Sequence, residues 1–260
     1  MKRIGLAARN SAAPWTLTLA AAMLSGLLIG VEPVGGDPDR MYRPIKAELA
    51  RNLAEGRLPY WSDHVGMGFP LIAESHAAAF YPPNQVLYRA LSVPTAYRLS
   101  MFLHYLMMAA ATFAYGRRLG LSSNGAGLAA LSFTFCGFQS IHASHEWSYH
   151  TLTYLPLCLL LAELIMAEGR WIWAAGLALA YGMQLTTGHF QVQSWTAGLA
   201  AATAVWRWVG SPRRVGRVGM VFLGLAWGVA IAAALLAPSW ELARFVGFDD
   251  RPFRDLAFFG

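Results

Sequence analysis

The sequence is poor in charged residues and in cysteine. Asp, Glu, Lys and Arg make up 13% of the 260 residues, whereas soluble domains carry about 25%. This shortage argues against an ordinary soluble enzyme or nucleic-acid-binding domain. The two cysteines, Cys136 and Cys158, lie inside apolar runs, and they are too few for a disulfide framework or a zinc ligand set. We therefore interpret both as small buried hydrophobic residues.

Several sequence motifs of known chemistry are also missing. The chain has no Walker loop, no dinucleotide fingerprint, no zincin histidine pair and no nucleophile elbow. It also lacks interrupted apolar segments in matched halves, which are typical of secondary transporters. Nucleotide-dependent and serine-hydrolase chemistry are therefore not indicated.

Long apolar runs dominate what is present. Hydrophobic residues make up 56% of the chain and the mean hydropathy is +0.40. Seven runs approach the ~20 apolar residues that a spanning helix needs. They cover residues 14–31, 97–115, 125–141, 151–167, 171–185, 192–208 and 218–237. The expected fold is all-α, a polytopic transmembrane helical bundle of about seven spans, and Gly224 with Gly228 forms a GxxxG motif for helix packing. We interpret the first run as a retained helix because no clear signal-peptide cleavage site follows it.

Basic residues near the loops predict the orientation. Lys2, Arg3 and Arg9 place the N terminus in the cytoplasm. Seven crossings then bring the other basic clusters to the same side: Arg117, Arg118, Arg170, Arg207, Arg213, Arg214 and Arg217. Nearly all the acidic residues fall on the opposite side. The net charge of +6 is therefore a topology signal, and no nucleic-acid partner is expected.

The runs divide the chain into four parts. We predict a cytoplasmic N terminus and first span (1–31), a long external loop (32–96), a six-span bundle (97–237) and an external tail (238–260). The loop begins with an amphipathic helix, which Gly56 would end. Its apolar positions are Met41, Ile45, Leu49 and Leu53, and its charged positions are Arg43, Lys46, Glu48, Arg51 and Glu55. A loop of this length is uncommon unless it is functional.

Polar residues from four external segments are expected to converge at one end of the bundle. They are Asp37, Asp39, Glu74, His76, His142, His145, Glu146, His189, Gln191 and Glu241. Simpler interpretations remain open for several of them. Asp39 could cap the following helix, and Asp37 before Pro38 could open a turn. His142 and His145 could bind a metal or lie in solvent, and the His189 segment could make an interhelical hydrogen bond.

One stretch of the external loop carries a specific resemblance. The residues concerned are Gly56, Leu58, Pro59, Trp61, Gly68, Pro70, Phe80, Tyr81, Pro82 and Asn84. In this order they resemble the first external loop of the YfhO family of bacterial membrane proteins. Residues 137–147 and 186–191 resemble two later loops of that family, and the likeness runs from the first span to Ala237. Glu74 and Ser75 depart from the pattern, because an Asn-Pro-like pair is expected there.

The YfhO family is similar to membrane-embedded glycosyltransferases of the C type, so the resemblance implies an enzyme. The implied donor is a polyprenyl-phosphate-linked sugar in the membrane lipid, and the implied acceptor is an envelope glycan or lipid. The implied location is the bacterial inner (cytoplasmic) membrane. Asp37 or Asp39 would be the catalytic general base, with a slight preference for Asp39 because it lies nearer the helix. The implied substrate-binding residues are Arg40, Arg43, Trp61, Glu74, His76, Tyr81, His142, His145, His189 and Gln191.

Three further points stay open at this level. No cofactor is indicated outright, and a divalent cation, Mg²⁺ or Mn²⁺, is left open because no pair of acids has a clear ligand spacing. The rival interpretation is a non-enzymatic carrier, a lipid- or glycan-binding scaffold, or an inactive fragment of such an enzyme. A carrier would need a polar pathway to the bilayer midplane, where the sequence offers almost no charge. Family members continue with more spans, so we interpret the chain as an N-terminal portion, and the oligomeric state is not indicated.

Overall fold

The described part of the chain is built from α-helices. The computed structural model describes residues 12–31, 36–64, 68–211 and 214–245. Within these ranges the only β-type pairing is an isolated antiparallel bridge between Ser62 and Phe69. The all-α class predicted from the sequence is confirmed.

The helices are numbered in chain order. They are α1 (Ala12–Met23), α2 (Ser25–Leu28), α3 (Arg43–Ala54), α4 (Pro82–Ala90), α5 (Val93–Arg118), α6 (Ser123–Thr134), α7 (Gly137–Ile141), α8 (Glu146–Glu168), α9 (Trp171–Leu185), α10 (Phe190–Val209), α11 (Val215–Ile231) and α12 (Ala233–Phe245). A single π-helical turn, Pro38–Tyr42, leads into α3, and two 3₁₀ turns, Leu71–Ala73 and Ser75–Ala77, precede α4.

Fewer helices than predicted have the length and composition of a membrane span. Among the described residues these are α5 and α8, with the bent pair α11–α12 as a third if it is counted as one span. The chain is therefore compatible with a membrane-embedded protein, and the seven predicted spans are not confirmed. Length is one physical reason. Helices of 12 and 15 residues, α6 and α9, reach only about 18 and 22 Å, against a hydrocarbon core of ~30 Å.

Two of the predicted runs are broken. The run 125–141 divides at Phe135 and Cys136, where α6 ends and α7 begins. The run 218–237 divides at Ala232, and α11 and α12 are bent there by 70°. Helix α12 then continues through Pro238, so the predicted boundary between bundle and tail lies inside a helix. The rest of the predicted tail, from residue 246 onward, lies outside the described residues.

Helices α5, α8, α9, α10 and α11 pack side by side around α8. The closest approach is between α9 and α11. A Cβ atom at Gly224 would lie 3.0 Å from the carbonyl oxygen of Ala174, and one at Gly228 would lie 3.1 Å from that of Ala178. Only glycine allows the two backbones to come this close. The packing role predicted for the GxxxG motif is confirmed.

The two ends of α8 differ in character. At its C-terminal end, Arg217 donates hydrogen bonds to the carbonyl oxygens of Met166 and Ala167 at 2.9 and 2.7 Å. In the same region the Nε atom of Arg207 lies 2.9 Å from the Glu163 carboxylate. Helix α8 has 23 residues and is therefore about 34 Å long. Its other end carries the candidate functional site.

Candidate functional site

The two predicted catalytic acids lie at the π-helical turn before α3, Asp37 directly before its first residue and Asp39 inside it, and they have different partners. Asp39 accepts a hydrogen bond at 2.7 Å from Arg43, one turn further along. It lies inside the turn, so the alternative that it caps the helix is not supported. Asp37 makes no capping hydrogen bond either. Its Oδ2 atom lies 3.0 Å from Nε2 of His145, in the loop before α8. π-Helical turns occur frequently at functional sites.

Four of the predicted histidines gather around one tryptophan. The ring of Trp147 stacks on that of His189, with centroids 3.8 Å apart. His142 and His145 lie 5.6 and 6.0 Å from the same tryptophan. His76 meets His189 edge to face at 6.5 Å. We call these four histidines and Trp147 the histidine cluster, and Asp37 borders it.

Close packing of two loops places His76 beside His189. The Glu74 carboxylate accepts a hydrogen bond from the backbone N–H of His76 at 3.0 Å and so fixes the turn that carries this histidine. Gly188 packs directly on the same turn. A Cβ atom there would lie 2.0 Å from the carbonyl oxygen of Ser75, and the glycine has a φ of +93°. Glycine is therefore required at this position on both counts.

Burial sets the charge state of two rings in the histidine cluster. Burial lowers the pKa of His76, and the nearby Glu74 carboxylate opposes this shift. Burial also lowers the pKa of His189, and the neighbouring His76 adds to the effect. Both rings are therefore neutral at pH 7. The Nδ1 atom of His76 is buried and has no hydrogen-bond partner among the described residues.

A buried ion pair lies beneath the histidine cluster. Lys46 of α3 is fully buried, and its ammonium donates hydrogen bonds to the carbonyl oxygens of Ala77 and His76 at 2.8 and 3.2 Å. The same Nζ atom lies 3.3 Å from a carboxylate oxygen of Glu146, which is 2% exposed. Burial lowers the pKa of Lys46, and the Glu146 carboxylate opposes the shift. The pair joins α3 to the start of α8.

The sequence analysis was wrong about the face of α3 on which Lys46 lies. It grouped this residue with the charged, outward positions, whereas the structure buries it. The sequence nevertheless contains a signal for the burial of Lys46. Lys46 follows Tyr42 by four residues and precedes Leu49 by three, and both of these are buried. That spacing puts all three side chains on one helical face, but a lysine there is usually exposed.

Further polar residues continue from Glu146 into the bundle. The other Glu146 oxygen lies 3.6 Å from Nδ1 of His150, whose ring is 4.2 Å from that of His104. The Tyr81 hydroxyl then bonds to His104 at 2.5 Å and to the Tyr154 hydroxyl at 2.7 Å. We call this set the buried polar chain. It reaches about 12 Å along α8 from Glu146. The sequence predicts almost no charge at the bilayer midplane, and that prediction does not cover the hydroxyl and imidazole groups of this chain.

Tyr81 is therefore not where the prediction placed it. The resemblance implies a substrate-binding role for it, whereas its side chain is fully buried inside the polar chain. Trp61 is exposed but lies beyond the C-terminal end of α3. Since α3 is about 18 Å long and Asp37 precedes its other end, the structure does not bring Trp61 to the histidine cluster.

Three other predicted residues are exposed. Arg40 lies in the π-helical turn, Gln191 in the first turn of α10, and Glu241 on α12. The buried amide of α10 is Gln193, which donates a hydrogen bond to the carbonyl oxygen of Gln184 at 2.7 Å. Two glutamines two residues apart on a helix face different ways, and the sequence analysis selected the outward one.

An apolar groove adjoins the histidine cluster. It has a volume of about 680 Å³ and lies between the start of α10 and the bent pair α11–α12. Its lining includes Phe190, Val229, Ala233, Leu236 and Trp240. Phe190 directly follows His189 in the chain. On the other side, Ser239 of the lining bonds to the carbonyl oxygen of Ala73, next to Glu74. A ligand could therefore contact both regions at once.

Across the described ranges, no three His, Cys, Asp or Glu side chains are grouped so as to hold a metal ion. His145 has Asp37 as its partner. The predicted pairing of His142 with His145 places their rings 5.4 Å apart.

Comparisons with known proteins add no relative. No family model, no curated protein and no solved structure matches the chain. The resemblance to the YfhO family stays a prediction that depends on the motif residues alone.

Proposed function

We propose that the chain is a multi-pass membrane glycosyltransferase of the C type, or the portion of one that carries the catalytic acid. It transfers a sugar from a polyprenyl-phosphate donor to an envelope glycan or lipid, on the outer face of the bacterial inner membrane. The seven-span topology with a cytoplasmic N terminus is part of this proposal. One observation carries it. The Asp37–His145 pair lies at the edge of the histidine cluster, and His189 of that cluster directly precedes Phe190 in the wall of an apolar groove.

Asp37 is the general base in this proposal, which reverses the slight preference for Asp39. Asp39 forms an ion pair with Arg43, four residues further along the chain. Asp37 meets His145 from another segment and is half-exposed, with 52% of its side chain accessible. A base must be reachable by its substrate and held in a fixed direction. Asp37 satisfies both conditions, since the histidine holds one oxygen and leaves the carboxylate open to solvent.

The reaction proceeds at the anomeric carbon of the donor sugar. The acceptor hydroxyl forms a bond to that carbon while Asp37 removes its proton. The bond between the carbon and the phosphate oxygen breaks, and the polyprenyl phosphate leaves with the electron pair. Neutral imidazoles of His76 and His189 supply N–H donors for the phosphate oxygens. Positioning by these groups and by His145 provides much of the acceleration.

The apolar groove receives the start of the polyprenyl tail. A lipid-linked substrate needs a polar region for its phosphate and sugar within a few atoms of an apolar one. Here the two regions meet at consecutive residues, His189 and Phe190. Burying an isoprenoid tail is favourable at about 25 cal/mol for each Å² of apolar surface removed from water.

A membrane carrier is the second candidate, and the buried polar chain favours it. Hydrogen-bonded histidines and tyrosines inside a bundle are typical of pathways for ions or protons. The exposed Asp37–His145 pair has no evident task in a carrier. We therefore rank the transferase first.

The test uses Asp37→Asn with Asp39→Asn as its matched control, since the two acids lie two residues apart, one directly before the π-helical turn and one inside it. Sugar transfer from polyprenyl-phosphate donors to envelope glycan is measured in membrane vesicles. We expect Asp37→Asn to lower the rate about 10²–10⁴-fold and Asp39→Asn to leave most of it. Full transfer by an Asp37→Asn protein that accumulates normally would overturn the catalytic assignment.

A further inference from the structure

A second recess lies at the other end of α3, away from the histidine cluster. It has a volume of about 570 Å³ and is open to solvent. Its walls come from the last turns of α3 and from the loop that follows: Arg51, Gly56, Arg57, Tyr60, Trp61 and Asp63. We call it the α3 cleft. Its volume falls within the ~300–1,000 Å³ of small-molecule sites, and neither the acid–histidine pair nor the buried polar chain contributes to it.

The aromatic wall of the α3 cleft is fixed in place. Ser62 and Phe69 exchange two backbone hydrogen bonds of 2.8 and 2.9 Å, which hold the two sides of the loop together. The Trp61 ring packs on Gly68, where a Cβ atom would lie 2.5 Å from the indole and where φ is +117°. The ring is therefore held against the loop at Gly68. The side chain nevertheless remains 54% exposed, and the adjacent Tyr60 is 65% exposed.

The charged groups of the α3 cleft balance one another. Arg51 contacts both carboxylate oxygens of Glu48, at 2.6 and 2.7 Å. Arg57 pairs with Glu55, and Asp63 lines the same recess. Each arginine thus has a carboxylate beside it. A phosphate or sulfate would have to displace a carboxylate in order to reach an arginine. A neutral ligand with many hydroxyl groups can instead accept hydrogen bonds from the guanidinium groups and donate hydrogen bonds to the acids, and the ion pairs stay intact.

We propose that the α3 cleft binds a neutral saccharide chain. A pyranose ring has one face of C–H groups and a rim of hydroxyl groups. The exposed part of the Trp61 ring covers the C–H face, which removes apolar surface from water, and the charged groups of the recess hydrogen-bond to the rim. A binding aromatic that is already fixed loses little entropy when the ligand arrives. The inference depends on the cleft alone and holds whether or not the proposed transfer reaction does.

Binding is measured by calorimetry on the purified full chain. The detergent must carry no sugar headgroup, because a glycoside detergent would occupy the site. The probes are chitohexaose, maltohexaose and cellohexaose, with inorganic pyrophosphate as the anionic comparison. We expect at least one oligosaccharide to bind with a Kd of roughly 1 mM or tighter, and we expect no binding of pyrophosphate at the cleft.

Trp61→Leu is the diagnostic variant, because leucine keeps an apolar contact with Gly68 but lacks the ring face. We expect it to weaken oligosaccharide binding about tenfold or more. Trp195→Leu is the matched control, since that tryptophan of α10 is 50% exposed and lies far along the chain. Asp63→Asn provides a second test with an exposed residue whose replacement does not disturb packing, and it should also weaken binding.

Three outcomes would overturn the proposal. They are no binding by any of the three oligosaccharides, equal binding by Trp61→Leu, or pyrophosphate binding that Trp61→Leu abolishes. If Trp61→Leu instead reduces only the partition of the protein into phosphatidylglycerol vesicles, the aromatic pair is a membrane-interface anchor and the proposal fails. Asp37→Asn should leave saccharide binding unchanged, so this inference and the proposed function fail independently.

Discussion

The buried pair between Lys46 and Glu146 gives the sharpest prediction on stability. Replacing Lys46 by methionine keeps an unbranched apolar stem out to Cε and removes the ammonium. At 3.3 Å and an effective dielectric of ~20, the direct attraction is about 5 kcal/mol, and desolvation of both groups offsets much of it. The variant nevertheless loses stability, because Glu146 then stays buried without its cation. The carbonyl oxygens of His76 and Ala77 also lose their donor.

The expected loss for Lys46→Met is about 3–5 kcal/mol, the usual cost of removing one partner from a buried pair. Glu146→Gln leaves a buried ammonium in place and should lose a similar amount. The double variant removes both charges, so it should recover a substantial part of the loss, and the two single effects should not add. Arg51→Met is the surface control. Its pair with Glu48 is half-exposed on the arginine side, and ~1 kcal/mol or less is expected.

Thermal unfolding in detergent can be followed with a thiol-reactive dye. Cys158 of α8 is fully buried and reacts only when the bundle opens. Cys136 is partly exposed, so it is replaced by serine in every variant. A loss of 3–5 kcal/mol corresponds to a midpoint lower by about 6–20 °C in a chain of this size. The reasoning is refuted if Lys46→Met melts like the parent, or if the double variant loses the sum of the two single losses.

Two further predictions follow from the loops around the histidine cluster. Burial lowers the folded-state pKa of His76 and His189 below the ordinary 6.5. At acidic pH the unfolded chain therefore binds more protons at these two rings than the folded chain does. The free energy of unfolding should be highest above about pH 6.5 and should fall with further acidification. Replacing both rings by asparagine should flatten this dependence of the melting midpoint on pH, and an unchanged slope would contradict the assignment. Gly188→Ala would place a methyl group 2.0 Å from a backbone oxygen of the facing turn at a φ of +93°, and should cost about 2–6 kcal/mol. Gly216→Ala, which meets open space in α11, should be neutral or slightly stabilising in the same melting assay, and equal losses for the two alanines would refute the packing argument.

Sequence reasoning predicts helix positions well where polar or flexible residues mark both ends. The predicted run 171–185 and helix α9 have the same bounds, because Gly169 and Arg170 precede the helix and Gly188 follows soon after it. The same reasoning fails at Ala232. The residues on both sides of this break are apolar, so hydropathy continues through it while the helix axis turns by 70°. Hydropathy indicates which segments are buried, but it carries no information on the direction of the helix axis.

The same limit applies to the site, because the sequence indicates which residues are polar but not which of them come together in the fold. The sequence identified polar residues at the loops, and the structure places four of its histidines together. It could not predict that Asp37 meets His145, since this pairing joins segments more than 100 residues apart. The contact of Asp39 with Arg43 is different, because its i, i+4 spacing is that of neighbours on one helical face. The position nearer the helix favoured Asp39 as the general base, whereas the contacts of the two carboxylates favour Asp37. Trp61 was likewise assigned to the wrong site because loop membership does not give distance.

The position of Lys46 links these observations. An ammonium buried under a loop is costly unless every one of its donors is used, and here one group holds two carbonyl oxygens and faces a carboxylate. Because these partners belong to the His76 turn and to the start of α8, α3 cannot rotate without breaking contacts to both. Asp37 directly precedes the π-helical turn that leads into α3, so its direction is fixed from the buried side. The geometry of the exposed Asp37 carboxylate therefore depends on Lys46, which is fully buried.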